Sequence, residues 1–415
     1  AFLLIVWNIP KSQNSFLYDI HTNEEYLDFH GGFGSNPIGW NHPKLTKHFS
    51  SGLWNKHFLN KPANCDFYTP EYIEFIDKFQ TTIIPKNYPH LFFIDGGALA
   101  VENALKIAMD WKYQKNGDNN EDLSIAHFTK AFHGRSGYTM SLTNTEPHKT
   151  KNFTKFNWPR FLPSIKTGTP PQNQKVYDEF AIGEVEKYFK EHHKSIAGLI
   201  IEPIQCEGGD RHFTKYFLQN LQRLCNEHDV LFILDEVQTG LGRTGKMWAH
   251  QHYGIEPDIL CSGKGLAAGL PVGATVASEE VFSSFQKGDH TTTYGASPFV
   301  CASIKATIDY LVQNNIPQRN NELGSILLSE LSALRSKHDI IREIRGLGLM
   351  IGVEFRFDIK NLLNQLLQNG LLTLYSGRNI LRLLPPFIIT EEQVHDVVMI
   401  IDNTINQINK NAGSN

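Results

Sequence analysis

Short apolar runs that alternate with helix-spaced segments constrain this chain of 415 residues more than any other feature. The runs are LFFI at 91–94, IAHF at 125–128, IAGLIIEP at 196–203, VLFIL at 230–234, DILCSG at 258–263 and GATVAS at 273–278. Between them, 98–115 places Val101, Leu105, Ala108 and Trp111 at helical spacing directly after Gly96 and Gly97, and 213–228 reads as a second helix. Buried runs interleaved with helices predict an α/β fold whose mainly parallel sheet is covered on both faces. Beyond Ser297 the pattern changes to long helices over 301–313 and 318–337, a strand-like LGLMIGVEF at 347–355 and a last helix from Glu391. We therefore expect a large domain over 44–297 and a smaller α+β domain assembled from 1–43 and 298–415.

Two charged residues stand at the ends of such runs. Asp235 follows VLFIL, and Lys264 sits between Gly263 and Gly265 just after the next run. Ligands of open α/β sheets bind at the carboxyl ends of strands, where both residues fall. Taken singly, Asp235 reads as a helix cap and Lys264 as a solvated loop residue. Taken together they match what pyridoxal phosphate needs. A lysine delivered neutral can hold the cofactor aldehyde, and an aspartate beside the pyridine nitrogen keeps it protonated. The flanking glycines let the backbone approach a flat ligand.

Other pieces fit the same site. Gly96, Gly97 and Ala98 at a helix start form a natural phosphate cradle, since free N–H groups and the helix dipole both favour an anion. Phe132, His133, Gly134 and Arg135 supply a ring that can stack on the pyridine and a guanidinium that can grip a carboxylate. The segment EPIQCEGG brings Glu202 and Glu207 to the same sheet edge. Arg382, in LRLLPPF, is a second carboxylate binder, and Thr293, Tyr294 and Gly295 offer a hydroxyl and backbone donors for a phosphate.

Composition narrows the field of partners. With 41% hydrophobic and 20% charged residues the chain is an ordinary globular protein. A net charge of −4 without basic blocks argues against nucleic acid. The five cysteines, Cys65, Cys206, Cys225, Cys261 and Cys301, are scattered and show no paired spacing. That favours a reducing, cytoplasmic setting and no metal site. The apolar opening, 1–7, is too short to span a bilayer, and the missing initiator methionine suits a start within a longer product. The stretch 115–121 reads as a surface loop and 410–415 as a frayed end. Asn152, Phe153 and Thr154 fit a glycosylation triplet, a pattern frequent by chance.

Across nearly its whole length the chain resembles the class III pyridoxal phosphate aminotransferases. LDEVQTGLGRTG with SGKG downstream carries the class, while GGALAVENALK and FHGRSGYTMSLTNT point to its lysine 6-aminotransferase branch. The resemblance implies an aspartate-aminotransferase-like fold type I homodimer with two active sites at the subunit interface. It implies Lys264 as the cofactor lysine and proton shuttle, Asp235 on the pyridine nitrogen and Gln238 beside the phenolic oxygen. Phe132 would stack on the ring, with His133, Glu202 and Val237 also lining the cofactor. Gly97 and Ala98 would bind the phosphate, joined by Thr293 from the partner subunit.

For substrates, Arg135 would hold the donor carboxylate, and Arg382 the α-carboxylate of glutamate or 2-oxoglutarate, with Glu207 pairing Arg382 in between. The implied reaction moves the ε-amino group of L-lysine to 2-oxoglutarate, yielding 2-aminoadipate 6-semialdehyde and glutamate. Alternatives are ornithine, acetylornithine or 4-aminobutyrate as donor, or an aminomutase or racemase on the same fold. The chain departs from the branch at His30 to Ser35 and at Cys206, where glycine is usual.

Overall fold

The computed structural model describes residues 5–50, 52, 57–59, 68–117, 122–164, 171–286 and 288–413. An antiparallel pair comes first, β1 (Phe16–Tyr18) and β2 (Glu25–Asp28). The six apolar runs then all form strands: β3 (His90–Ile94), β4 (Ser124–Phe128), β6 (Ile196–Ile201), β9 (Leu231–Asp235), β10 (Ile259–Ser262) and β11 (Gly273–Ala277), with β5 (Arg160–Phe161), β7 (Ile204–Gln205) and β8 (Arg211–His212) between them. Seven of these make one sheet in the order β3-β11-β10-β9-β6-β4-β5. Every residue of β6, β9, β10 and β11 is buried, as strands covered on both faces must be.

The sheet is parallel except at β11, which runs antiparallel to both β10 and β3. Only ten residues separate Ser262 from Gly273, too few for the helical crossover a parallel neighbour requires. That short link carries Lys264.

The helix expected over 98–115 is Gly97–Asn116, burying Val101, Ala104, Leu105 and Ala108 against the sheet. Helices Pro70–Thr82 and Pro171–His192 lie beyond the expected set. Of the surface loop expected over 115–121, Lys115 and Asn116 are still helical and 118–121 lie outside the described residues. The expected frayed end is likewise helical as far as Gly413.

The stretch 347–355 is not one strand but the turn of a hairpin. β12 (Ile341–Leu347) reverses at Gly348, whose φ is +54°, into β13 (Met350–Phe355). β14 (Leu371–Leu372) joins β1 and β2, so the two ends of the chain share a three-stranded sheet. β15 (Leu374–Ser376) and β16 (Ile380–Leu383) complete a four-stranded sheet, β12-β13-β16-β15. Helix Pro298–Gln313 packs Val300, Ile304, Ile308 and Leu311 inward, and its neighbours are helix Pro70–Thr82 and the turn Lys264–Ala267. Packing therefore crosses the boundary expected at 298. No helix among the described residues is long and apolar enough to cross a membrane.

Candidate active site

β9 and β10 are parallel neighbours with Asp235 opposite Cys261, so Asp235 and Lys264 emerge side by side at the carboxyl edge of the sheet. Lys264 has a φ of +44°, in the left-handed region that non-glycine residues seldom occupy. Its Nζ has no hydrogen-bond partner among the described residues. Burial pulls its ammonium below the ordinary lysine value, against the opposing pull of Cys206 and Glu207.

Asp235 is held on both oxygens. Its Oδ1 accepts the Val237 N–H at 3.1 Å, and its Oδ2 lies 2.8 Å from His133 Nδ1. A carboxylate oxygen accepts, so the histidine proton sits on Nδ1. His133 Nε2, on the other side of the ring, is buried and unpartnered. The His133 N–H donates to Thr143 Oγ1 at 2.9 Å, which fixes the ring's stem.

Gly96 has a φ of +107° and opens helix Gly97–Asn116 without a side-chain cap. Among the described residues no hydrogen bond takes the N–H of Gly97 or Ala98, as befits the first turn of a helix, where an anion can be received. A β-carbon on Gly97 would lie 2.6 Å from Val237 Cγ1, so only glycine leaves the slot between helix and strand open. A glycine-lined anion cradle, an aspartate oriented by a buried histidine, and a lysine with no partner among the described residues all border one space. This donor set fits pyridoxal phosphate.

That space is a cavity of about 430 Å³, a common size for a small-molecule site. Gly97, Ala98, Phe132, His133, Arg135, Glu202, Glu207, Asp235, Val237, Gln238 and Lys264 line it, as do three residues the sequence did not assign a role there, Gly134, Ser136 and Cys206. Thr293 is exposed and does not reach this cavity.

Glu202 accepts the N–H groups of Phe132 at 3.0 Å and Cys206 at 3.2 Å, clamping Phe132 to the motif that carries Glu207. Burial pushes its carboxyl up to about 7, with His133 opposing and Asp235 adding to the shift. Arg135 stands exposed on the cavity wall and makes no ion pair among the described residues. Its loop is anchored from below by Glu102, whose Oε1 accepts from Ser136 Oγ at 2.7 Å and from the Thr139 N–H at 3.0 Å.

Arg382, fully buried on β16, lies behind the opposite wall, outside the set of residues that line the cavity. Its Nη1 donates to Glu207 Oε1 at 2.7 Å, its Nε lies 2.8 Å from Asp210 Oδ2, and its Nη2 donates to Gln238 Oε1. Gln238 in turn donates to the Phe33 carbonyl at 2.9 Å. Burial lowers the Arg382 guanidinium's hold on its proton, but Asp210 and Glu207 more than restore it. Burial works to raise Glu207, and Arg382 brings it below the usual carboxylate range. Asp210 is absent from the site as read from sequence. An acid in a glycine turn is the only signal it offers there, and its partner lies far along the chain.

The profile of the family described as Aminotransferase class-III matches residues 3–405. The L-lysine-epsilon aminotransferase of Amycolatopsis lactamdurans is 35% identical over 411 residues, spanning 94% of this chain and 89% of that protein. The protein of the same name from Streptomyces clavuligerus is 34% identical over 423 residues, spanning 97% and 91%. Among solved structures, the lysine aminotransferase from M. tuberculosis superposes with a TM-score of 0.92 at 32% identity, spanning 98% of this chain and 96% of that one.

Proposed function

The chain belongs to the class-III aminotransferases, and from that premise we propose that it moves the ε-amino group of L-lysine to 2-oxoglutarate, yielding 2-aminoadipate 6-semialdehyde and L-glutamate. It is a pyridoxal-phosphate-dependent aminotransferase of fold type I. The cofactor supplies, when bound, a carbonyl that takes up and returns the amino group and a ring that accepts electron density.

The chain's own residues do the rest. Gly97 and Ala98 present N–H groups to the phosphate, Phe132 stacks on the ring, and Asp235, oriented by His133, holds the proton of the ring nitrogen. Lys264 Nζ, biased toward its neutral form by burial, moves a proton to and from the carbon that bears the amine. Arg135 receives the donor's only carboxylate, far from the reacting ε-amine. Arg382 stays closed by Glu207 while lysine is bound and takes the α-carboxylate of 2-oxoglutarate when Glu207 withdraws.

One observation carries the donor assignment. One guanidinium on the cavity wall, Arg135, makes no ion pair among the described residues, while a second, Arg382, lies buried behind the lining residues Glu207 and Gln238 and is already paired. That asymmetry suits a donor with a single, remote carboxylate. The deciding experiment is a donor screen with 2-oxoglutarate, scoring glutamate formed from lysine, ornithine, acetylornithine and 4-aminobutyrate. Lysine should lead in kcat/KM by about tenfold or more, roughly 1.4 kcal/mol. A clear lead by another donor would overturn the assignment.

A homodimer belongs to this proposal, because Thr293 lies outside its own subunit's cavity and would serve a partner's phosphate. A cytoplasmic setting is the companion reading, resting on the unpaired cysteines.

A further inference from the structure

Arg382 is paired with two carboxylates that differ in freedom. The side chain of Glu207 is 20% exposed and borders the cavity, whereas that of Asp210 is 0% exposed. Glu207 has somewhere to go. Asp210 does not.

The sheet beneath Asp210 is built to hold it. Arg345 on β12, Gly352 on β13 and Arg382 on β16 stand opposite one another in one row across three strands. A β-carbon on Gly352 would lie 2.9 Å from Asp210 Cβ, so the missing side chain in the middle of the row is the space Asp210 occupies. Asp210 has a φ of +44°, unusual outside glycine, and something must secure that conformation. Arg345 does so, donating from Nε to the Asp210 carbonyl and from Nη2 to the Gly209 carbonyl, both at 2.6 Å. Glu354 Oε2 fixes Arg345 in turn at 2.9 Å.

We propose that Asp210 is the positioning residue of Arg382: a fixed counter-ion on Nε that keeps the guanidinium aimed into the cavity when Glu207 withdraws. This rests on the reading that Arg382 takes the acceptor's α-carboxylate. With Asp210 in place, the open state still contains an ion pair, not a lone buried guanidinium. Arrival of 2-oxoglutarate then exchanges one carboxylate for another on Nη1, and the charge of the cluster is the same before and after. Without Asp210, the withdrawal of Glu207 would leave Gln238 on Nη2 as the one remaining side-chain partner among the described residues, and no counter-ion.

The test uses the holoenzyme, with 2-oxoglutarate as acceptor, and separates the two half-reactions. For Asp210→Ala, the acceptor KM should rise tenfold or more, with the limiting rate and the donor half-reaction each within threefold of wild type. Binding of glutarate, an unreactive dicarboxylate, should weaken by a similar factor in calorimetry. Asp210→Asn keeps an oxygen toward Nε and should recover at least half of the loss on a logarithmic scale. Gly352→Ala, which crowds Asp210 from below, should reproduce the rise in acceptor KM without touching either acid. Equal losses in both half-reactions, or an unchanged acceptor KM and glutarate affinity, would overturn the role. Wild-type enzyme that ignores 2-oxoglutarate would remove the parent assignment, and this proposal with it. Wild-type enzyme that uses it alongside an unaffected Asp210→Ala removes the role of Asp210 alone.

Discussion

His133 Nδ1 and Asp235 Oδ2 stand 2.8 Å apart, with side chains 0% and 7% exposed. The pair sets the local charge at the strand edge where the cofactor ring nitrogen is proposed to lie, and Val237 N–H holds the remaining oxygen. Asp235→Asn keeps the shape and both neighbours but loses the charge. It should lower kcat/KM by about 10²-fold or more, the usual scale for losing one preorganised electrostatic partner. Steady-state kinetics beside an unchanged circular dichroism spectrum would check it.

Lys264→Ala removes the amine from the strained turn after β10. Turnover should fall by at least about 10²–10⁴-fold, the range a positioned proton-transfer group contributes. The visible absorbance of the coenzyme bound to the wild-type protein should also be missing. A variant that kept both would detach the chemistry from this residue.

Glu207→Gln strips the mobile charge from Arg382 while Asp210 remains. The freed guanidinium then competes for the donor's own carboxylate and draws lysine in backwards. Single-turnover measurements should show the lysine half-reaction slowed about tenfold relative to the glutamate half-reaction, roughly 1.4 kcal/mol. Equal slowing of the two would remove the gate.

Burial pushes the Glu202 carboxyl up from 4.5 to about 7. A carboxyl whose pKa rises on folding stabilises the fold while protonated. Its contribution is complete below the unfolded value and is lost as pH climbs through the folded one. Glu202→Gln should therefore spare the protein a loss of the order of 3 kcal/mol between about pH 5 and pH 8. Denaturant melts of both proteins across that window would measure the difference.

Cys206, Cys225, Cys261 and Cys301 are free and buried, and burial raises all four thiols above their ordinary value. Alkylation proceeds through the thiolate. Iodoacetamide at about pH 8 should leave these four unmodified in the native protein and label them all after unfolding, as read by peptide mass spectrometry.

The sheet was legible because its central strands are mostly apolar and buried on both faces: Ile196–Ile201 and Leu231–Asp235 have no solvent face to disguise them. Helix Pro171–His192 also left a trace, with Ala181, Ile182, Val185 and Phe189 buried at helical spacing, but polar residues on its other faces diluted it. Local sequence could not distinguish one strand from a hairpin at 347–355, since Gly348 and Gly352 both interrupt the apolar run and only Gly348, with its positive φ, makes the turn. Asp235 and Gly97 could be placed at the sheet edge from sequence because one ends a strand and the other begins a helix. Asp210 could not, because its meaning comes from Arg345, Gly352 and Arg382, three strands brought together only by folding.

The bare backbone at Gly352 beneath Asp210 also limits how this protein can be altered. A library that varies 352 alone will read as a disturbance at 210, since a β-carbon there would lie 2.9 Å from Asp210 Cβ and must displace it. Exchanged as a pair, bulk gained at one site and surrendered at the other, the two positions can change together. Changes at the proposed acceptor end are thus coupled through this one contact.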